Sequence, residues 1–220
     1  MTRETNMRCI HHNMAAIGGY VAAYTLLCRN FMGNAQTNNL ITIFFDLESL
    51  NLREAAARIG GLLLYILATA SYVLVSKKTR WNPMYYSLSV DCLAIVLLGL
   101  IPENVYYVFG LYPAFFAMAL QWNAFPGAYG YVSSTIFSTN NVKQATLSLT
   151  EYLVDHKADP KKKHRGLFFV TSLLFFHVGV TLSYVFTHLL GIHGIWMALA
   201  LAVPAFFLIR RDGKYAKELS

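Results

Sequence analysis

The sequence predicts an all-α membrane protein: six transmembrane helices arranged as two inverted three-helix repeats, each with a broken or re-entrant segment. Three observations predict it. Hydrophobic residues make up 56% of the 220 residues and charged residues only 13%, against about 45–50% and about 25% in ordinary soluble domains. The Lys and Arg residues sit between long uncharged runs, and residues 104–142 and 166–209 contain no Asp, Glu, Lys or Arg at all. A Thr-Asn-Asn triplet occurs twice, at 37–39 and at 139–141. A soluble fold of this length could not hide so much apolar surface, because small domains keep a large fraction of their surface in water. The composition excludes a disordered chain and a disulfide scaffold, and it argues against a soluble enzyme.

A helix needs about 20 predominantly apolar residues to cross the hydrocarbon core. Six runs come close, at 13–29, 59–76, 83–101, 104–122, 166–188 and 191–209. The first follows Arg3 and Arg8 and looks like a signal sequence. No small-residue cleavage site ends it, so it is expected to remain as a span. His11 and His12 precede it and are expected to be solvated, while Arg29 at its end is expected to snorkel to the headgroups. Pro102 stops the third run, and Gly191 with Gly194 separates the fifth from the sixth. The two long connections, 30–58 and 123–165, are not plain loops. Leu40-Ile41-Thr42-Ile43-Phe44-Phe45 in the first and a helical pattern over 142–154 in the second are too short to span, and segments of that length are more often re-entrant or interfacial.

Charge sets the orientation. With six spans, fifteen of the 18 Lys and Arg residues fall on one side: Arg3 and Arg8; Lys77, Lys78 and Arg80; Lys143, Lys157, Lys161, Lys162, Lys163 and Arg165; Arg210, Arg211, Lys214 and Lys217. Only Arg29, Arg53 and Arg58 fall on the other. Both termini are therefore expected in the cytoplasm, with the chain in the cell membrane. The +7 net charge reads as cytoplasmic loops and contact with anionic membrane lipid, not as a nucleic-acid surface. Three cysteines without close pairing give neither a disulfide framework nor a zinc site.

The triplets lie 102 residues apart. Each follows a long span and a polar stretch, and each precedes a short amphipathic segment and two further spans. This divides a single membrane domain (1–220) into a first repeat over about 13–101 and a second over about 104–209. Three spans per repeat force the halves to sit upside down relative to each other, a recurrent transporter design with its site near the midplane. Thr and Asn favour helix starts, so two facing half-helix N-termini would form a partly positive site for an anion or a carbonyl-rich solute. The alternative is that each triplet caps an interfacial helix at headgroup level.

These motifs have a known likeness. Gly18-Gly19-Tyr20 through Ala23-Tyr24 and Gly33-Asn34-Ala35-Gln36-Thr37-Asn38-Asn39 resemble the N-terminal signature of the YoaK-like family, bacterial multi-pass membrane proteins with a domain of unknown function. Ala119-Leu120-Gln121-Trp122-Asn123-Ala124-Phe125 and Ser133-Ser134-Thr135 through Thr139-Asn140-Asn141 resemble its second-half motifs. Where that family often has Gly between the Thr and the Asn, this chain has Asn38 and Asn140. Asn tolerates the left-handed backbone better than most residues. The resemblance implies a fold and a membrane location, and it leaves activity open.

The candidate binding residues are Asn34, Gln36, Thr37, Asn38, Asn39, Gln121, Asn123, Thr139, Asn140 and Asn141. Carboxamides both donate and accept, so this set could hold a polar solute without a net charge; the alternative is hydrogen bonding between helices. Asp91, near the middle of the third run, is the candidate ion-coupling carboxylate, because an ionisable group at that depth is costly and faces the interior. His177, His188 and His193 fit packing or interface roles better than metal ligation. No nucleophile motif, HExxH or phosphate-cradling Gly loop occurs, so neither enzymatic activity nor a cofactor is expected. The leading function is a small-solute transporter or channel; the alternative is a non-transporting scaffold or regulatory membrane protein. A protomer this small leaves little room for an enclosed path, which makes a homodimer a further option.

Overall fold

The computed structural model describes residues 1–156 and 158–218, with side chains through residue 214. Of the basic residues counted above, Lys157 and the side chain of Lys217 lie outside the described residues. The element order is α1 (Arg3–Arg29), α2 (Gln36–Glu48), α3 (Leu52–Lys78), α4 (Pro83–Leu100), α5 (Tyr107–Ala124), a two-residue pair β1 (Gly127–Ala128) and β2 (Tyr131–Val132), α6 (Thr139–Val154), α7 (Pro160–Leu190), a 3₁₀ segment (Gly191–Ala198) and α8 (Leu199–Glu218). All six apolar runs are helical, and the two segments too short to span are the separate helices α2 and α6.

Local chemistry explains the boundaries. Thr2 accepts from the Thr5 amide at the start of α1, and Asn30 ends that helix in the left-handed region. Asn82 accepts from the Met84 amide at 2.8 Å just before Pro83. Asp159 accepts from the Lys161 amide at 2.9 Å just before Pro160. Both are capped starts with proline in the first turn. The α2 and α6 starts differ: their cap residues, Ala35 and Ser138, make no side-chain cap bond.

The halves interlock. α1 packs mainly on α7, and α5 packs mainly on α3, so each half's first helix lies against the other half. α4 lies on α5 and α8 on α1, while α2 rests on α3 and α6 on α7. α1 and α7 run in the same direction: His12 meets Thr171 near both starts, and Tyr20 donates to the Gly194 carbonyl (2.6 Å) just beyond the end of α7. Their backbones touch. A Cβ added at Gly19 would run into the Phe176 carbonyl, and one at Gly179 into the Ala16 carbonyl, so glycine is what permits this approach. Tyr24 completes the seam by donating to the Leu98 (3.1 Å) and Ile192 (3.0 Å) carbonyls.

Three stretches among the described residues are long and apolar enough to cross a membrane: Leu52–Lys78, Pro83–Leu100 and Pro160–Lys214, the last running through α7, the 3₁₀ segment and α8. α1 and α5 do not meet that measure because they carry more polar groups. The reason is position. Sixteen of the 27 residues of α1 are buried, against five of the 27 in α3, so the central helix can hold polar side chains that a peripheral one cannot.

Two expectations need correction. His11 and His12 are not solvated: α1 begins at Arg3, and both rings are buried, His11 beside Phe168 and His12 between Phe168 and Phe175. Arg29 does not snorkel. Its guanidinium is buried and donates to the carbonyls of Ile101 (2.8 Å), Pro102 (3.0 Å) and Glu103 (3.2 Å). It gathers the carbonyls of the turn that follows α4, from the cap residue Ile101 onward. The basic run in the first turns of α7 also does more than mark a side. Lys162 pairs with Asp155 at 2.5 Å and Arg165 donates to Gln144 at 2.7 Å, fastening α6 to α7.

Candidate functional site

α2 and α6 begin on one cavity. Thr37 in the first turn of α2 and Thr139 at the start of α6 both line it, together with Asn34, Ser138 and apolar side chains including Ala22 and Phe176; its volume is about 390 Å³. The segments leading into the two helices touch: Asn34 Nδ2 donates to the carbonyl of Ile136. That bond joins residues 102 positions apart, the same spacing that separates the triplets. Each lead-in segment is also held by the helix before it. The Gly33 amide donates to Thr25 Oγ1 of α1 at 3.0 Å. Gln121 of α5 donates from Nε2 to Thr135 Oγ1 and to the Met14 carbonyl, both at 2.9 Å.

Within each triplet the three residues divide their labour identically. Thr37 and Asn38 are exposed and Asn39 is buried; Thr139 and Asn140 are exposed and Asn141 is buried. Asn39 Nδ2 donates to Gln36 Oε1 (3.0 Å) and to the Arg58 carbonyl of α3 (3.1 Å). Asn141 accepts from Ser133 Oγ at 2.9 Å and donates to the Ser134 carbonyl at 2.8 Å. The third-position Asn thus anchors each half-helix, while the first-position Thr faces the cavity. Among the ten candidate binding residues, the structure brings Asn34, Thr37 and Thr139 to the cavity. Gln36, Asn39, Gln121 and Asn141 lie behind it in hydrogen-bonded support. Asn38 and Asn140 are exposed outside its lining, and Asn123 turns back to the Ala119 carbonyl of its own helix at 2.8 Å.

Several buried polar atoms here have no protein partner among the described residues: Asn34 Oδ1, Gln36 Nε2, Asn39 Oδ1 and Gln121 Oε1. Native proteins leave few such atoms unpaired, and a site for water or ligand is one place they occur. Asp91 is buried as well, with both carboxylate oxygens unpartnered, on the α4 stripe Leu88, Asp91, Ile95 and Leu98; it lies apart from the cavity lining.

Two clusters escaped the sequence reading. Arg58, at the start of α3, is buried between the rings of Phe31 and Tyr107, pairs with Asp46 of α2 at 2.8 Å and donates to the Tyr107 hydroxyl. On the other half, His11 Nε2 meets Ser133 Oγ at 2.9 Å. Ser133 spends its single proton on Asn141, so His11 must be the donor. The apolar flank of Arg58 and the short gap from Asp46 were available signals for the first; nothing local in sequence links His11 to Ser133.

The fold and this arrangement define a class: an all-helical membrane-type protein in which two half-length helices start on a shared cavity. The chain belongs to the DUF1275 family of proteins of unknown function, whose model matches residues 10–208. The YoaK-like resemblance agrees with that membership. No curated protein and no solved structure gives a significant match.

Proposed function

We propose that the protein is a small-solute transporter or channel of the cytoplasmic membrane, built from two inverted three-span repeats with both termini inside. The observation that carries this reading is the cavity shared by Thr37 and Thr139, with the bonded pair Asn34 and Ile136 in its wall. Broken helix at membrane depth is tolerated only where it is buried in protein or lines a wet cavity. Two uncapped half-helix starts beside one cavity are what inverted-repeat transporters use to hold polar solutes. The reciprocal pairing of α1 with α7 and of α5 with α3 supports the inverted repeat, since exchanging the halves exchanges those two contacts. In this reading Asp91 is the ion-coupling carboxylate of a carrier. No catalysis is assigned, and lipid is the surrounding partner.

The test is permeation through proteoliposomes. Protein-containing vesicles should shrink and re-swell faster than empty ones in a gradient of a permeant small solute. Thr139→Trp, which fills the cavity from an exposed position, should remove the difference while the protein remains monodisperse. Permeation equal to that of empty vesicles for every small neutral and ionic solute tried would leave the scaffold reading in its place.

A further inference from the structure

We infer that the cavity takes an uncharged solute that carries a hydrogen-bond donor beside an acceptor on a short apolar body, as in a small primary carboxamide. This rests on the reading of the cavity as the solute site. Three sets of groups converge there. The first is a surplus of donors. The first-turn amides of α2 and α6 are left without a side-chain cap, and Thr37, Ser138 and Thr139, each bearing a hydroxyl, line the same space. Helix starts of this kind favour an acceptor oxygen. The second is one acceptor. Asn34 lines the cavity and is 2% exposed, and its Oδ1 has no partner, its Nδ2 being engaged by Ile136. An anion has nothing to offer Oδ1, whereas an N–H does. The third is the wall. No Asp, Glu, Lys or Arg lines the cavity, and Ala22 and Phe176 are among its apolar lining.

Charge decides between the candidate classes. An ion entering this space loses its hydration and finds no counter-ion, which is costly in an apolar setting. A neutral amide loses less, gives its carbonyl to the helix starts and gives its N–H to Asn34. Its hydrocarbon part then lies on the apolar wall. The same complementarity disfavours alkylammonium ions, because the partly positive helix ends repel them.

Thermal unfolding of the purified full chain in detergent tests this with propionamide, N,N-dimethylpropionamide, propionate and propylammonium at equal concentration and ionic strength. A ligand that binds the folded state raises Tm saturably. Propionamide is expected to do so, and the other three are not; the dimethyl compound keeps the acceptor but lacks the donor that Asn34 requires. In Thr37→Val/Thr139→Val, two exposed positions whose change spares the fold, half-saturation should rise about tenfold. A saturable shift with propionate, or an equal shift with the dimethyl compound, overturns the uncharged donor–acceptor class while leaving a solute site standing. A double variant that responds like wild type overturns the cavity itself, and so does the absence of any saturable shift.

Discussion

The two half-helices make an internal comparison. α2 and α6 share their start, their exposure pattern and a buried third-position Asn, yet they are secured by different chemistry. The first is clasped by charge: Arg58 reaches Asp46 and Tyr107, and Asn39 leans forward onto α3. The start of the second is clasped by neutral groups: His11, Ser133 and Asn141 form a chain that leans back onto its own lead-in segment, while its ion pair, Lys162 with Asp155, lies exposed at the far end of the helix. The lead-ins differ too, six residues at 30–35 against fourteen at 125–138, the longer one holding the β1–β2 pair. The difference teaches that the architecture requires a buried amide at the third position and a firm lead-in, and that either ionic or neutral partners can supply the firmness.

The largest effect should come from the seam that both half-helices depend on. Gly179→Leu forces α1 and α7 apart against a backbone carbonyl that cannot rotate away, and the expected outcome is loss of a monodisperse peak in size-exclusion chromatography. Gly61→Ala, on the α3–α5 side, meets only the Phe115 ring; it should leave folded protein with a destabilisation of about 1–3 kcal/mol. Equal damage from Gly61→Ala would erase the distinction between the two seams.

Next comes the ionic clasp. Arg58→Met leaves Asp46 without its cation and should destabilise by about 3–5 kcal/mol, as for a partly buried ion pair broken from one side. Asp46→Asn should cost less, because Arg58 keeps Tyr107 and the two rings. Tm in detergent measures both, and the order of the two variants is the sharper test.

A smaller contrast separates the anchors. Asn141→Ala frees the hydroxyl of Ser133 and the carbonyl of Ser134, so a loss of about 1–3 kcal/mol is expected. Asn39→Ala frees one buried carbonyl on Arg58 and one on Gln36, and should fall at the lower end of that range. Ser133→Ala should be the mildest, about 1 kcal/mol: it loses the bonds to His11 and Asn141, but Asn141 keeps its hold on the Ser134 carbonyl. If Asn39→Ala proves the more damaging of the two Asn variants, the second half does not rely on its neutral chain.

Sequence alone located much of this. Apolar run length places the long helices, Pro102 and Gly191 mark real stops, and the repeated triplet marks the starts of the short helices α2 and α6. It failed where a polar side chain is buried by partners distant in the chain. Counting places Arg29 and Arg58 with the outward-facing charge, because it cannot see that the carbonyls past a helix end and aromatic rings replace water around a guanidinium. The hydrophobic run starts after His11 and His12 and so reads them as part of a tail, whereas the partners that bury them, Phe168 and Phe175, come from α7. Half of the candidate carboxamides, Gln36, Asn39, Gln121 and Asn141, lie behind the cavity wall, a distinction set by helix rotation and not by spacing.

The parallel seam between α1 and α7 also has a consequence for biosynthesis. Gly19 and Gly179 are 160 residues apart in the chain. At about 5–20 residues per second, α1 leaves the ribosome roughly 8–30 s before the surface that buries His11, His12 and its glycines exists. During that interval the least apolar of the long helices has no partner for its polar face. The nascent chain should therefore be retained by the insertion machinery until α7 emerges, and a chain stopped before α7 should be degraded rather than released as a stable fragment.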